Sequence, residues 1–134
     1  MAHGTPQLSA AYYNFTSASG INYTVDVSKP SGQKIHITTM TDGKAFDLTK
    51  TYTVAINSYQ GNGGGGLLTQ GAGIAKNEIY ARIITSTPKD LRYYLMKWIE
   101  EKKTVSPKSF GNWSVIPGEW WQKGKEKDTQ LMFK

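Results

Sequence analysis

A chain of 134 residues that is 38% hydrophobic and 12% aromatic is long enough for one compact domain with its own core and too short for two of ordinary size. The absence of cysteine excludes disulfides, thiolate metal centres and cysteine nucleophiles, and it suits either a reducing compartment or a bacterial exported protein. The formal charge of +6 asks for an anionic partner, but the lysines of "KWIEEKK" and "WWQKGKEKD" are mixed with glutamates, the pattern of a solvated face rather than of a nucleic-acid patch.

The opening "MAHGTPQLSAAYYNF" has neither the basic start nor the apolar centre of a signal peptide, and no apolar run reaches the roughly 18 residues a membrane span needs. Residues 1–16 are expected to be flexible. Three segments then alternate with period two and are rich in β-branched and aromatic residues: "GINYTVDV" (20–27), "QKIHITTM" (33–40) and "TYTVAIN" (51–57). "SKPSG" and "TDGKAFDLTK" between them carry the proline, glycine and aspartate of turns, so a three-stranded meander is predicted.

Next comes a glycine loop, with Gly63, Gly64, Gly65 and Gly66 in a row. After "QGAGIAKNE" stands "IYARIIT" (79–85), an apolar stretch short enough to be a strand or a helix end. The clearest element is a helix over 88–102, with Thr87 as its cap, Pro88 at the first helical position and Asp90 favouring the positive end of the dipole. Leu91, Tyr94, Leu95, Trp98 and Ile99 recur on one face, which is expected to be buried against the sheet. A short strand is predicted at 113–116, and 122–134 read as a flexible polar tail. The fold class expected is α+β, a single domain over 1–134 with a mostly antiparallel sheet and one main helix packed on a face.

The chemistry on offer is narrow. Gly61, Gly63 and Gly66 formally satisfy G-x-G-x-x-G after a strand, but "LLTQGAGI" comes after them, and its glycines discourage the helix whose N-terminus would meet a pyrophosphate. A Walker A loop is excluded because Leu67 and Leu68 stand where Lys and Ser or Thr are required. Four glycines are costly to order, about 0.5–1 kcal/mol each relative to alanine in regular structure, so close backbone approach to a ligand or another chain is favoured over a floppy connector. Asn57 and Tyr59 just before the loop offer an amide and a ring edge. His3 and His36 lie far apart in sequence, and His36 falls on the solvent side of its strand. Asp26, Asp42 and Asp47 sit in or beside turns, where a carboxylate ordinarily accepts backbone N–H bonds. The residues by themselves point to a binding or accessory module.

The order of motifs adds to this. "SGINYTVDVSKPSGQKI" followed by "DLTKTYTVAINSYQGNGGGGLL" resembles the second half of the C-terminal domain of the 5'-nucleotidase family, from about Ser19 to Leu68, with a looser fit through 88–102. The resemblance implies a division of labour in nucleotide catabolism. A separate metallophosphatase domain, in cis or in trans, would hold divalent metal ions and hydrolyse the phosphoester. This chain, with no catalytic centre and no cofactor of its own, would bind the nucleoside or nucleotide.

Carried over by position, Asn57 and Tyr59 match the family's strand end, and Gly63, Gly64 and Gly66 match its loop glycines. Gly65 stands where the family's ribose-binding Asp is expected, and Leu67 stands where a stacking aromatic is expected. The resemblance also implies a periplasmic or cell-surface location. The alternative function is a non-enzymatic basic module whose Trp-rich C-terminal region binds a polyanion or a protein.

Overall fold

The computed structural model describes residues 15–133. Their elements in chain order are strands β1 (Ile21–Asp26) and β2 (Ile35–Met40), helices α1 (Ser58–Gly61) and α2 (Leu91–Lys102), strand β3 (Trp113–Ile116) and helix α3 (Gly118–Met132). Short 3-10 turns at Gly64–Gly66, Lys76–Glu78 and Tyr80–Arg82 and a wide turn at Leu67–Gly71 lie between α1 and α2. The α+β class is as expected. The chain divides into two compact units, one of the residues up to Lys50 together with those from Ser109 onward, the other Thr51–Lys108.

The first unit is built on a sheet of order β2-β1-β3, in which β1 runs antiparallel to β2 and parallel to β3. The register shows why these sequences make a sheet. Tyr23 pairs with Ile37 and Trp113, and Val25 with Ile35 and Val115, so one face is apolar across all three strands. Thr24, paired with His36 and Ser114, lies on the opposite, polar face. His36 is exposed there, as the alternation predicts.

Tyr23, only 8% exposed, is the centre of this unit. Its ring stacks on Trp113 at 6.2 Å, Trp113 in turn meets Phe15 at 5.7 Å, and the Tyr23 hydroxyl accepts the Ala18 N–H at 3.1 Å. Two asparagines clamp the strands. Asn112 Nδ2 donates to the Ala18 and Ile21 carbonyls, both at 2.8 Å, tying the start of β3 to the start of β1. Asn22 Nδ2 donates to Thr39 Oγ1 at 2.9 Å and to the Met40 carbonyl at 3.2 Å, beside the register shift at Asn22/Tyr23.

Each loop aspartate does what its position predicts. Asp26 accepts from Ser28 N and Oγ, Asp42 from Lys44 N and Nζ, and Asp47 from Thr49 N and Oγ1. The Ser28 hydroxyl, the Lys44 ammonium and the Thr49 hydroxyl hold these three carboxyls below the usual aspartate range.

Residues 122–132 were expected to be a polar tail but belong to α3, which contacts β3. The helix starts after Pro117, has Glu119 in its first turn, and is filled with Lys, Gln and Glu, which are good helix formers. Gln122 reaches Glu126 at 3.1 Å, one turn on. The expected flexibility of 1–16 falls almost wholly outside the described residues.

The second unit departs further from expectation. Residues 51–57 form no strand, because period-two alternation gives a segment two faces but not a neighbour to take its N–H and C=O groups. No strand occurs among 51–108, and Val54 is 72% exposed. Helix α2 begins at Leu91 instead of at 88. Its cap is Asp90, whose Oδ1 accepts the Tyr93 N–H at 2.9 Å, while the Thr87 hydroxyl donates to the Lys89 carbonyl at 2.8 Å in the turn before it. A carboxylate caps as well as a hydroxyl and adds its charge at the positive end of the helix.

The stripe Leu91, Tyr94, Leu95, Trp98 and Ile99, expected to be buried, is 38–61% exposed. The buried residue of this unit is Ile79, 3% exposed, held between the turns Lys76–Glu78 and Tyr80–Arg82, which resolves 79–85 as neither strand nor long helix.

Candidate functional site

The site is the stretch from Asn57 to Leu67, and its first task is to turn the chain. Asn57 is extended (φ −72°, ψ 161°), and its Oδ1 accepts the Gln60 N–H at 2.8 Å, capping the four-residue helix α1. The Asn57, Ser58 and Gln60 carbonyls take the N–H groups of Gly61, Asn62 and Gly63 at 2.8, 2.9 and 2.9 Å. That tight turn brings the glycine run back over the residues before it.

The glycines now have individual reasons. Gly63, Gly65 and Gly66 adopt φ of +88°, +65° and +72°, the left-handed region that side chains other than Asn and Asp rarely enter. Gly64 is required for space. A Cβ there would lie 2.6 Å from both Cε2 and the carbonyl oxygen of Tyr59, so the ring rests on bare backbone. Ile79 Cδ1 closes on Gly63, 3.3 Å from where a Cβ would stand, and Gln70 Oε1 closes on Gly66 at 3.0 Å in the same sense. The close approach inferred from the glycine run is therefore made by the chain's own Tyr59, Gln70 and Ile79. The loop is a packed turn and not a loose connector.

Among the residues named from the sequence, Tyr59, Gly64 and Gly65 are brought together. Tyr59 is 66% exposed although its ring is seated on Gly64, and an added Cβ at Gly65 would lie 3.6 Å from Tyr59 Cε1, in ordinary contact. Gly65 itself is exposed, and Asn57 Oδ1 is engaged in capping. Leu67 is half-buried and opens the wide turn Leu67–Gly71, its carbonyl accepting the Ala72 N–H at 3.0 Å. The seating of Tyr59 on Gly64 escapes sequence reasoning because the two are five positions apart and meet only through the turn.

What this arrangement offers chemically is an exposed aromatic ring seated beside open backbone. No Asp, Glu, Lys, Arg or His stands between 51 and 75, so the loop holds no carboxylate, amine or imidazole to serve as an acid, base or charged metal ligand. Among the described residues no group of three or more His, Cys, Asp or Glu side chains is placed to hold a metal ion. The same residues include no helix long and apolar enough to cross a membrane.

Comparison with known proteins places this geometry in context. The family described as "5'-nucleotidase, C-terminal domain" matches residues 3–71, which include β1, β2 and the whole glycine loop. The chain is similar to the trifunctional nucleotide phosphoesterase protein YfkN of Bacillus subtilis, 33% identical over 118 residues covering 78% of this chain and 7% of that protein. It is also similar to the 2',3'-cyclic-nucleotide 2'-phosphodiesterase/3'-nucleotidase of Salmonella typhimurium, 31% identical over 120 residues covering 78% of this chain and 17% of the relative. The chain thus spans a small part of either relative's length. No solved structure matches.

Proposed function

We propose, for a chain that belongs to the 5'-nucleotidase C-terminal domain family, the role of substrate-binding portion in a nucleotide phosphoester hydrolase. The nucleoside base stacks on Tyr59, and its sugar lies along the backbone at Gly65. The observation that carries this reading is the exposed Tyr59 ring seated on Gly64 in a turn without Asp, Glu, Lys, Arg or His, a surface suited to a flat, uncharged base. Stacking of a base on an aromatic ring is worth about 1–3 kcal/mol, and Tyr59 supplies the ring that the Leu67 position lacks.

Residues 1–134 act here as part of one 5'-nucleotidase C-terminal domain. Hydrolysis belongs to a metallophosphatase domain in cis or in trans, and the divalent metal ions belong with it, as the family resemblance implies. The similarity of the chain to nucleotide phosphoesterases supports that partnership. An exported location follows from the family resemblance alone. The alternative is the polyanion reading of the Trp-rich C-terminal region; before it, on α2, Lys97 and Lys102 pair with Glu100 and Glu101.

Titrating nucleosides into the chain while observing ligand resonances by NMR tests the reading. Saturable binding with Kd on the order of millimolar, indifferent to added salt, supports it. No nucleoside binding, together with binding of a polyanion such as heparin that weakens steeply with added salt, would support the polyanion reading instead.

A further inference from the structure

Asn62 is the one asparagine of the chain with glycine directly after it. A side-chain amide in that setting has a nucleophile at hand, the nitrogen of the next peptide bond, and glycine leaves that nitrogen uncrowded. Asn62 is exposed, so water has access to it. Asn22, Asn57, Asn77 and Asn112 are followed instead by Tyr, Ser, Glu and Trp, and the amides of Asn22 and Asn112 are tied down as strand clamps. Asp42 before Gly43 is the nearest competitor, but a carboxylate is a poorer electrophile than an amide, and both its oxygens accept from Lys44.

The turn that presents Asn62 also restrains it. Ring closure needs the Gly63 nitrogen free and turned toward Cγ of Asn62. In the folded turn the Gly63 N–H donates to the Gln60 carbonyl at 2.9 Å, and the Asn62 N–H donates to the Ser58 carbonyl at 2.9 Å. Asn62 sits at φ −93° and ψ 13°, which turns the Gly63 nitrogen away from the Asn62 side chain. The reaction therefore belongs to the open form of the turn. Helix α1 is four residues long and contains no buried residue, so it opens at the low end of local stability.

We infer that Asn62 is a modification site, at which the glycine loop alters its own covalent structure whenever α1 opens. The Gly63 nitrogen gives its proton to solvent and bonds to Cγ of Asn62, the Cγ–Nδ2 bond breaks, and ammonia leaves. Water then opens the cyclic imide. Attack at Cγ yields an aspartate with the main chain as before, whereas attack at the main-chain carbonyl yields isoaspartate, with the main chain rerouted through the side chain and a methylene longer. Either product puts a carboxylate into the stretch 51–75, which has no Asp, Glu, Lys, Arg or His. Isoaspartate also lengthens the path from Tyr59 to Gly64, a contact so tight that a Cβ on Gly64 would stand 2.6 Å from the Tyr59 carbonyl oxygen, and so unseats the ring. The inference is independent of what the loop binds.

The experiment is incubation of the full chain at mildly alkaline pH, with peptide mapping by mass spectrometry to follow aspartate and isoaspartate at each asparagine. The synthetic peptide "NSYQGNGGGGLL" is the unrestrained reference. Both products are expected to build up at 62 ahead of 22, 57, 77 and 112, and at least about tenfold more slowly than in the peptide, the protection that local structure confers. Asn57→Ala, which removes the cap on the Gln60 N–H, is expected to speed the change at 62 about fivefold. Amide exchange at Gly63 in low urea measures the same opening on the unaltered chain, and the rate at 62 is expected to rise in step with it. Tyr59 ring resonances are expected to move in the isolated isoaspartate form and to hold in Asn62→Asp, which adds the charge without the methylene. Modification at 62 no faster than at those other asparagines would overturn the site. A full chain that reacts as fast as the peptide, or a rate at 62 that ignores Gly63 exchange, would overturn the gate. Unmoved Tyr59 resonances in the isoaspartate form would overturn the unseating of the ring.

Discussion

Tyr59 rests on Gly64 so closely that a single added carbon at residue 64 would meet both the ring and the carbonyl oxygen of Tyr59 at 2.6 Å. The carbonyl belongs to α1 and moves only if that helix does.

Gly64→Ala is therefore expected to destabilise the second unit by about 1–3 kcal/mol, the usual cost of overpacking. Gly61→Ala is the matched control, because its added Cβ finds only Ile56 at 3.7 Å and 3.8 Å and lies in helix α1. The control is expected to be neutral or slightly stabilising. Urea unfolding of the two variants measures the difference, and equal midpoints would show that the Tyr59–Gly64 contact does not constrain the loop.

The start of α2 gives a second contrast. Asp90→Ala removes the side chain that accepts the Tyr93 N–H and is expected to cost about 1 kcal/mol of helix stability. Thr87→Ala removes a hydroxyl bonded only within the preceding turn and is expected to leave the helix unchanged. Amide exchange at Leu91, Arg92 and Tyr93 reads both substitutions, and a larger effect from Thr87 would move the cap to where the sequence first places it.

A third expectation concerns acid. Hydrogen bonds from Ser28, Lys44 and Thr49 lower the carboxyls of Asp26, Asp42 and Asp47. A group whose folded value is depressed contributes stability above its unfolded value and loses it as pH falls through the folded one. The three turns are thus expected to hold at neutral pH and to loosen below about pH 4. NMR titration checks this through the Ser28, Lys44 and Thr49 amides, which are to follow their carboxyls at a pH lower than an aspartate in an unstructured peptide. Midpoints at or above that reference would contradict the hydrogen-bonded turns.

Much of the first unit was legible in the sequence. Alternation at 20–27 and 33–40 marked two strands, a short third was predicted at 113–116, and the turn aspartates announced their backbone bonds. The pairing of β3 alongside β1 was not, since it joins segments far apart in sequence through Asn112 and the Tyr23–Trp113 stack. Local pattern misled where a partner was needed. Residues 51–57 alternate like a strand without a neighbouring strand, and the α2 stripe looks like a core face but stays exposed. Helix α3 was hidden by its charge, although its Lys, Gln and Glu are the residues that favour a helix.

At the site, the motif "TYTVAIN" with the glycine run was enough to indicate the family, which residues 3–71 match. Spacing named Asn57, Tyr59 and the glycines, but not what each does. Asn57 looked like a ligand amide and is a helix cap. Gly64 looked like room for a ligand and is room for Tyr59. Such roles depend on a turn of only a few residues folding back on itself, which no period in the sequence encodes.

The central claim is that Tyr59 is the surface on which a nucleoside base stacks, and the measurement closest to it is adenosine binding by the full chain and by Tyr59→Ala. The account predicts saturable binding by the parent chain that weakens about tenfold to a hundredfold in the variant, in line with the loss of one base–aromatic stack. Binding of equal strength in Tyr59→Ala, with the variant folded, would contradict it.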